Sequence, residues 1–108
     1  MHEDLDFKFE DGKNSVHDVT VYALSTCGFC KRALKFLRDN SIAFRYIYVD
    51  HLDPIVKSEL KADLMKKYNR RVTYPFLIID AGSEAEKVFT GFVDDVWTDL
   101  FGLPTQRA

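Results

Sequence analysis

The sequence predicts an α/β fold with elements in the order βαβαββα, a four-stranded mixed sheet flanked by helices. Three observations carry this. Apolar runs rich in β-formers alternate with stretches whose apolar residues recur at helical spacing. A C-x-x-C pair, Cys27-Gly28-Phe29-Cys30, stands where the first run gives way to the first helical stretch. The last two short runs flank a turn at Gly82-Ser83, as in an antiparallel hairpin.

The elements follow in order. From Val16 or Val19, the residues Val19, Val21, Tyr22, Ala23 and Leu24 make a nearly continuous apolar strand, the pattern of a strand covered on both faces. Lys31 to Asn40 is predicted helical, because Cys30, Ala33, Leu34 and Leu37 repeat at i, i+3, i+4, i+7. A second strand spans about Ala43 to Val49, with Phe44, Tyr46, Ile47 and Tyr48. Asp53-Pro54 is a helix start, an acidic N-cap followed by proline at the first position, and Val56, Leu60, Leu64 and Tyr68 mark the buried stripe.

Phe76 to Asp80 and Lys87 to Thr90 are the third and fourth strands. Gly91 breaks the run, Asp94 is the expected cap of a last helix, and Val96, Trp97, Leu100 and Phe101 are expected to face inward. Gly102 and Pro104 stop that helix. The βαβ unit should be parallel and right-handed. Residues 1–15 read as an acidic, loosely docked extension, although Leu5, Phe7 and Phe9 alternate as a short edge strand would. Residues 16–108 are the folded domain.

At 108 residues, with 46% apolar and 14% aromatic residues, the chain can bury one core. Its net charge of −2 does not mark a nucleic-acid binder. The charge is uneven, with six acids against two lysines over residues 2–18. Lys57, Lys61, Lys66, Lys67, Arg70 and Arg71 fall largely on one predicted helix without interleaved aromatics, which reads as a solvated face. No stretch approaches the roughly 20 apolar residues of a membrane span. The acidic N-terminus lacks the layout of a secretory signal. A cytoplasmic monomer is expected, and in that compartment a permanent disulfide is disfavoured.

The two cysteines are the only ones in the chain. Their spacing puts the first at a helix N-terminus and the second one turn behind. The unpaired amides and positive dipole end there favour a thiolate. The pair therefore reads as a thiol–disulfide redox motif, with Cys27 as exposed nucleophile and Cys30 as its buried partner. Zinc would need four ligands, and His2, His17 and His51 would have to converge from unrelated segments, so no metal is expected. Those histidines read as solvated surface. Of fifteen aromatics most belong to the core. Phe29 and Phe92 are the exceptions, expected to form an exposed apolar rim that meets a protein or peptide.

Cys27-Gly28-Phe29-Cys30-Lys31, Thr73-Tyr74-Pro75 and Gly91-Phe92-Val93-Asp94-Asp95 together resemble the glutaredoxin branch of the thioredoxin superfamily over roughly residues 17–103. The resemblance implies a thioredoxin-like fold and a cis Pro75 facing the cysteine turn. It implies thiol–disulfide exchange, on protein disulfides or glutathione mixed disulfides, without a tightly bound cofactor. It assigns substrate or glutathione contacts to Lys31, Arg71, Thr73, Tyr74, Pro75, Val93 and Asp94. Leu24 stands where glutaredoxins usually carry a glutathione-binding lysine, and Phe92 replaces the second glycine of a Gly-Gly pair. Gly-Phe is closer to the NrdH-redoxins, which take electrons from thioredoxin reductase. The implied reductant is thus glutathione or a flavoprotein of that kind. Two other readings stay open. One is a carrier in which two copies share an iron–sulfur cluster through Cys27 and glutathione, as glutaredoxins with a C-G-F-S motif do; Cys30 stands at that motif's serine. The other is a non-catalytic adaptor on the same scaffold.

Overall fold

The computed structural model describes residues 5–103. Five strands form one sheet: β1 (Lys8–Glu10), β2 (Val19–Ala23), β3 (Phe44–Tyr48), β4 (Phe76–Ile79) and β5 (Lys87–Thr90), in spatial order β1-β3-β2-β4-β5. Three helices cover it: α1 (Gly28–Asp39), α2 (Pro54–Tyr68) and α3 (Asp94–Leu100). A short 3-10 turn at Val49–His51 leads from β3 towards α2. No helix among the described residues is long and apolar enough to cross a membrane.

β2 and β3 run parallel, as expected of strands joined through a helix. β4 runs antiparallel to β2, and β5 antiparallel to β4. Every residue of β2 is buried, because helices or packed segments cover both faces of the sheet. On one face α1 contributes Cys30, Ala33, Leu34 and Leu37, α3 contributes Trp97, and its C-cap contributes Phe101. On the other, Leu60 and Leu64 of α2 meet Tyr22, Ile47, Phe76 and Ile78. Asp53 caps α2 as the sequence suggested, its Oδ1 accepting from the Ile55 N–H at 2.9 Å.

The sheet has five strands where four were expected. The alternation of Leu5, Phe7 and Phe9 is realised as edge strand β1, antiparallel to β3 with Phe9 opposite Arg45. Leu5 and Phe7 pack against the α2-side core, which holds this segment on the sheet. Gly12 then crosses so close to the Ser41 backbone that a Cβ there would lie 2.3 Å from the Ser41 carbonyl oxygen.

Two expectations for α3 need correction. Asp94 is its first helical residue; the N-cap position is Val93, which has no capping side chain. The Asp94 carboxylate accepts instead from the Thr98 hydroxyl at 3.3 Å, one turn on. Val96 points outward and is 44% exposed, because a seven-residue helix lying on the sheet buries only the narrow stripe of Trp97, Thr98 and Phe101.

Candidate active site

The cysteine pair sits where β2 leaves the sheet and α1 begins. Cys27 is the N-cap of α1 in an extended conformation, and its sulfur accepts from the Cys30 N–H at 3.2 Å. The sulfur thus takes the place that a serine or aspartate oxygen usually fills at a helix start. It is also where backbone amides and the helix dipole stabilise negative charge. α1 begins at Gly28, three residues before the expected start, because this cap turns the whole C-x-x-C segment helical.

The two sulfurs live in different surroundings. Cys27 is partly exposed, whereas Cys30 is fully buried, and both are free thiols. Burial pushes the Cys30 thiol up to about 12, reinforced by its hydrogen bond with Cys27. The Leu24 N–H donates to the Cys30 sulfur at 3.5 Å and pulls the other way.

Across from them runs the start of β4. The Tyr74–Pro75 peptide bond is cis, as the resemblance implied, and the Tyr74 carbonyl oxygen lies 4.0 Å from the Cys27 sulfur. The Pro75 carbonyl accepts from the Gly91 N–H at 2.8 Å, and Gly91 adopts φ of 80°, a value that favours glycine. Tyr74 and Phe92 pack against the same core cluster as Cys27. The ladder register brings all of these to one end of the sheet, since Tyr22 pairs with Phe76 and Phe76 with Thr90.

Of the remaining residues singled out by sequence, Lys31, Arg71, Thr73, Val93 and Asp94 are exposed. Phe29 is open to solvent at 56%. Phe92, expected beside it on the rim, turns inward instead, edge-on to Trp97 at 4.9 Å and against Phe36 at 5.6 Å. Leu24 is half-buried against the α2-side core, as an apolar residue at that position must be.

Two residues that sequence reasoning passed over hold the turn in place. The Ser25 N–H donates to Asp50 Oδ1 at 2.9 Å, and the Ser25 hydroxyl donates to Oδ2. These bonds, the hydroxyl's first, hold the Asp50 carboxyl below its usual range. A signal existed: β2 and β3 pair Ala23 with Tyr48, and the same offset sets Ser25 opposite Asp50. Adjacent amides, Leu24 and Ser25, therefore anchor the inner sulfur and this carboxylate respectively. His17 was also misread as solvated. Its Nδ1 lies 2.8 Å from Asp80 Oδ2 and its ring packs edge-on to Phe101.

The comparisons with known proteins agree with this geometry. No match to the chain is found among curated proteins. Among solved structures, the fold is similar to a glutaredoxin from Methanosarcina mazei Go1, at 28% identity and TM-score 0.70, covering 90% of this chain and 88% of that one. It is similar to the methanoredoxin of Methanosarcina acetivorans, at 26% identity and TM-score 0.68, covering 85% and 90%. A glutaredoxin from Archaeoglobus fulgidus shares the fold at 24% identity and TM-score 0.62, covering 79% and 86%. The glutaredoxin family model matches residues 19–82, from the start of β2 through the cysteine turn and the cis proline to the β4–β5 turn, and the chain belongs to that family.

Proposed function

We propose that the protein is a cytoplasmic, monomeric dithiol thiol–disulfide oxidoreductase that reduces protein disulfides or glutathione mixed disulfides. The observation that carries this is the asymmetry of the pair: Cys27 caps α1 at the surface while Cys30 is sealed one turn behind it. The Cys27 thiolate attacks a substrate disulfide, forming a mixed disulfide and releasing one substrate thiolate. Cys30, losing its proton to solvent, then attacks the Cys27 sulfur. The Cys27–Cys30 disulfide closes and the second substrate thiol leaves, so two electrons have passed to substrate. The Tyr74 backbone beside the cis proline supports the incoming strand through a short β-like pairing. Glutathione or a thioredoxin-reductase-type flavoprotein returns the electrons.

Replacing Cys30 with serine removes only the second attack. The Cys30→Ser variant should accumulate a mixed disulfide on Cys27, visible by intact mass, while Cys27→Ser should accumulate none. Trapping that required Cys30 would overturn the assignment. Incubating the oxidised protein with glutathione, or with a thioredoxin reductase and its nicotinamide donor, separates the two reductants. A disulfide that neither reduces rejects the exchange reading.

A further inference from the structure

A groove of about 470 Å³ opens between α1 and α3. Phe36 and Phe92 lie along it, Arg32 and Lys35 stand on the α1 side, and Asp94 and Thr98 on the α3 side. Arg32 links it to the C-x-x-C segment, because its guanidinium lies over the exposed Phe29 ring at 4.5 Å. This stack on the middle of the motif orients the guanidinium before any partner arrives. Lys35 is neutralised by Asp39 one turn on, whereas Arg32 has no carboxylate partner among the described residues. On the α3 side, Asp94 accepts from the Thr98 hydroxyl one turn on.

We infer that this groove seats the segment flanking the cysteine of a protein disulfide, and that the segment carries an acidic residue for Arg32 and an apolar one for Phe36 and Phe92. The inference rests on the exchange reading above and names its substrate class. Charge complementarity selects the acid, since among the described residues no carboxylate pairs with Arg32, whereas Lys35 is held by Asp39. Spacing places it. Arg32 follows Cys27 by five residues, about 7.5 Å along a helix. An extended peptide advances about 3.3 Å per residue, so the acid belongs two or three positions from the substrate cysteine. The stack of Arg32 on Phe29, inside the C-x-x-C motif, makes the groove an extension of the exchange site rather than a separate one.

The test uses the full-length Cys30→Ser chain and short peptides whose single cysteine is blocked as a thionitrobenzoate disulfide. Cys27 forms a disulfide with the peptide sulfur, and thionitrobenzoate leaves with the electron pair as a coloured thiolate. One peptide carries Glu-Leu two residues from its cysteine, a second Lys-Leu. The readout is the ratio of their rate constants. An exposed charge contact is worth up to about 1 kcal/mol, or about fivefold, so the Glu peptide should react about fivefold faster, and less so at high salt. Arg32→Glu should invert the ratio, and Lys61→Glu, a charge change of the same size on α2, should leave it unchanged. No preference in the Arg32 protein, or a preference that survives Arg32→Glu, overturns the inference. So does a fall in the rate with oxidised glutathione as large as that with the Glu peptide, since the stack would then be a glutathione site. Failure to react with any of these, or with 2-hydroxyethyl disulfide, would sink the exchange reading itself.

Discussion

At the end of β2 where the cysteines sit, Asp50 accepts the Ser25 N–H and hydroxyl; at the opposite end, Asp80 accepts the Asp18 N–H at 2.9 Å and meets His17. Both carboxylates prolong a ladder, Asp80 by one step and Asp50 by two. Asp50 continues the parallel register of β2 with β3, and Asp80 the antiparallel register of β2 with β4. What borders them differs. Asp80 and His17 close onto Phe101, an inward-packed ring, whereas Ser25, held by Asp50, lies two residues before the partly exposed Cys27. One locking device thus serves two purposes, set by whether the adjoining group is packed away or left reachable.

The largest effects should come from removing each lock. Asp80→Ala removes the acceptor of the exposed Asp18 amide and should cost about 0.5–1.5 kcal/mol in denaturant unfolding, with the exchange rate of the folded protein unchanged. Asp50→Ala should cost a similar amount and also slow exchange with 2-hydroxyethyl disulfide by about tenfold to a hundredfold, because the segment carrying Cys27 loses its anchor. Equal slowing by both variants would break the comparison.

A smaller effect separates the ends by pH. The Asp18 N–H and then His17 hold the Asp80 carboxyl below its usual range, and Ser25 does the same for Asp50. A lowered carboxyl contributes stability above its unfolded value, about 3.9, that is lost as pH falls through the folded one. The acid limb therefore belongs to both ends. The alkaline limb does not. Burial pushes Cys30 and Tyr22 each up to about 12, so their stabilisation is complete below their unfolded values and lost as pH rises towards about 12. Stability measured against pH should fall from about 8.5, the ordinary thiol value, upward. Cys30→Ala should remove the earlier part of that fall and leave the later, tyrosine part. Alkylation should label Cys27 alone until well into that range.

Most of this frame was legible because period and punctuation agreed. The stripe Cys30, Ala33, Leu34, Leu37, the Asp53-Pro54 start and the all-apolar β2 each admit one arrangement. The cysteine spacing, the Thr73-Tyr74-Pro75 turn and the Gly91 break located the site before any contact was known. What escaped depends on register between distant segments. Ser25 with Asp50, and His17 with Asp80, are ordinary surface residues until two strands are aligned. Phe92 misled for a related reason. Its position beside Gly91 said that it borders the groove, but only the arrival of α3 decides that its ring packs edge-on to Trp97 and stays half-buried. Three residues of β1 were too short a run to outweigh an acidic surrounding, and it is the Leu5 and Phe7 contacts with the core that fix them.

The smallest effect tests whether the far end is structural throughout. Glu10 of β1 accepts from the Arg38 Nε at 2.8 and 2.9 Å, tying the edge strand to the last turn of α1. Both side chains are about a third to a half open to water, at 32% and 44%, so screening leaves the pair about 0.5 kcal/mol. Glu10→Gln should lower unfolding stability by about that much, and the difference should shrink as salt is added. Since Arg38 holds the Glu10 carboxyl low, the loss should be largest near neutrality and vanish as acid protonates the wild-type carboxyl. The exchange rate should not change, because Glu10 lies opposite Phe44, at the end of β3 remote from the cysteines. A slower rate in Glu10→Gln would mean that strain at the edge strand travels along α1 to its cap, and the two ends of β2 would then be one coupled device.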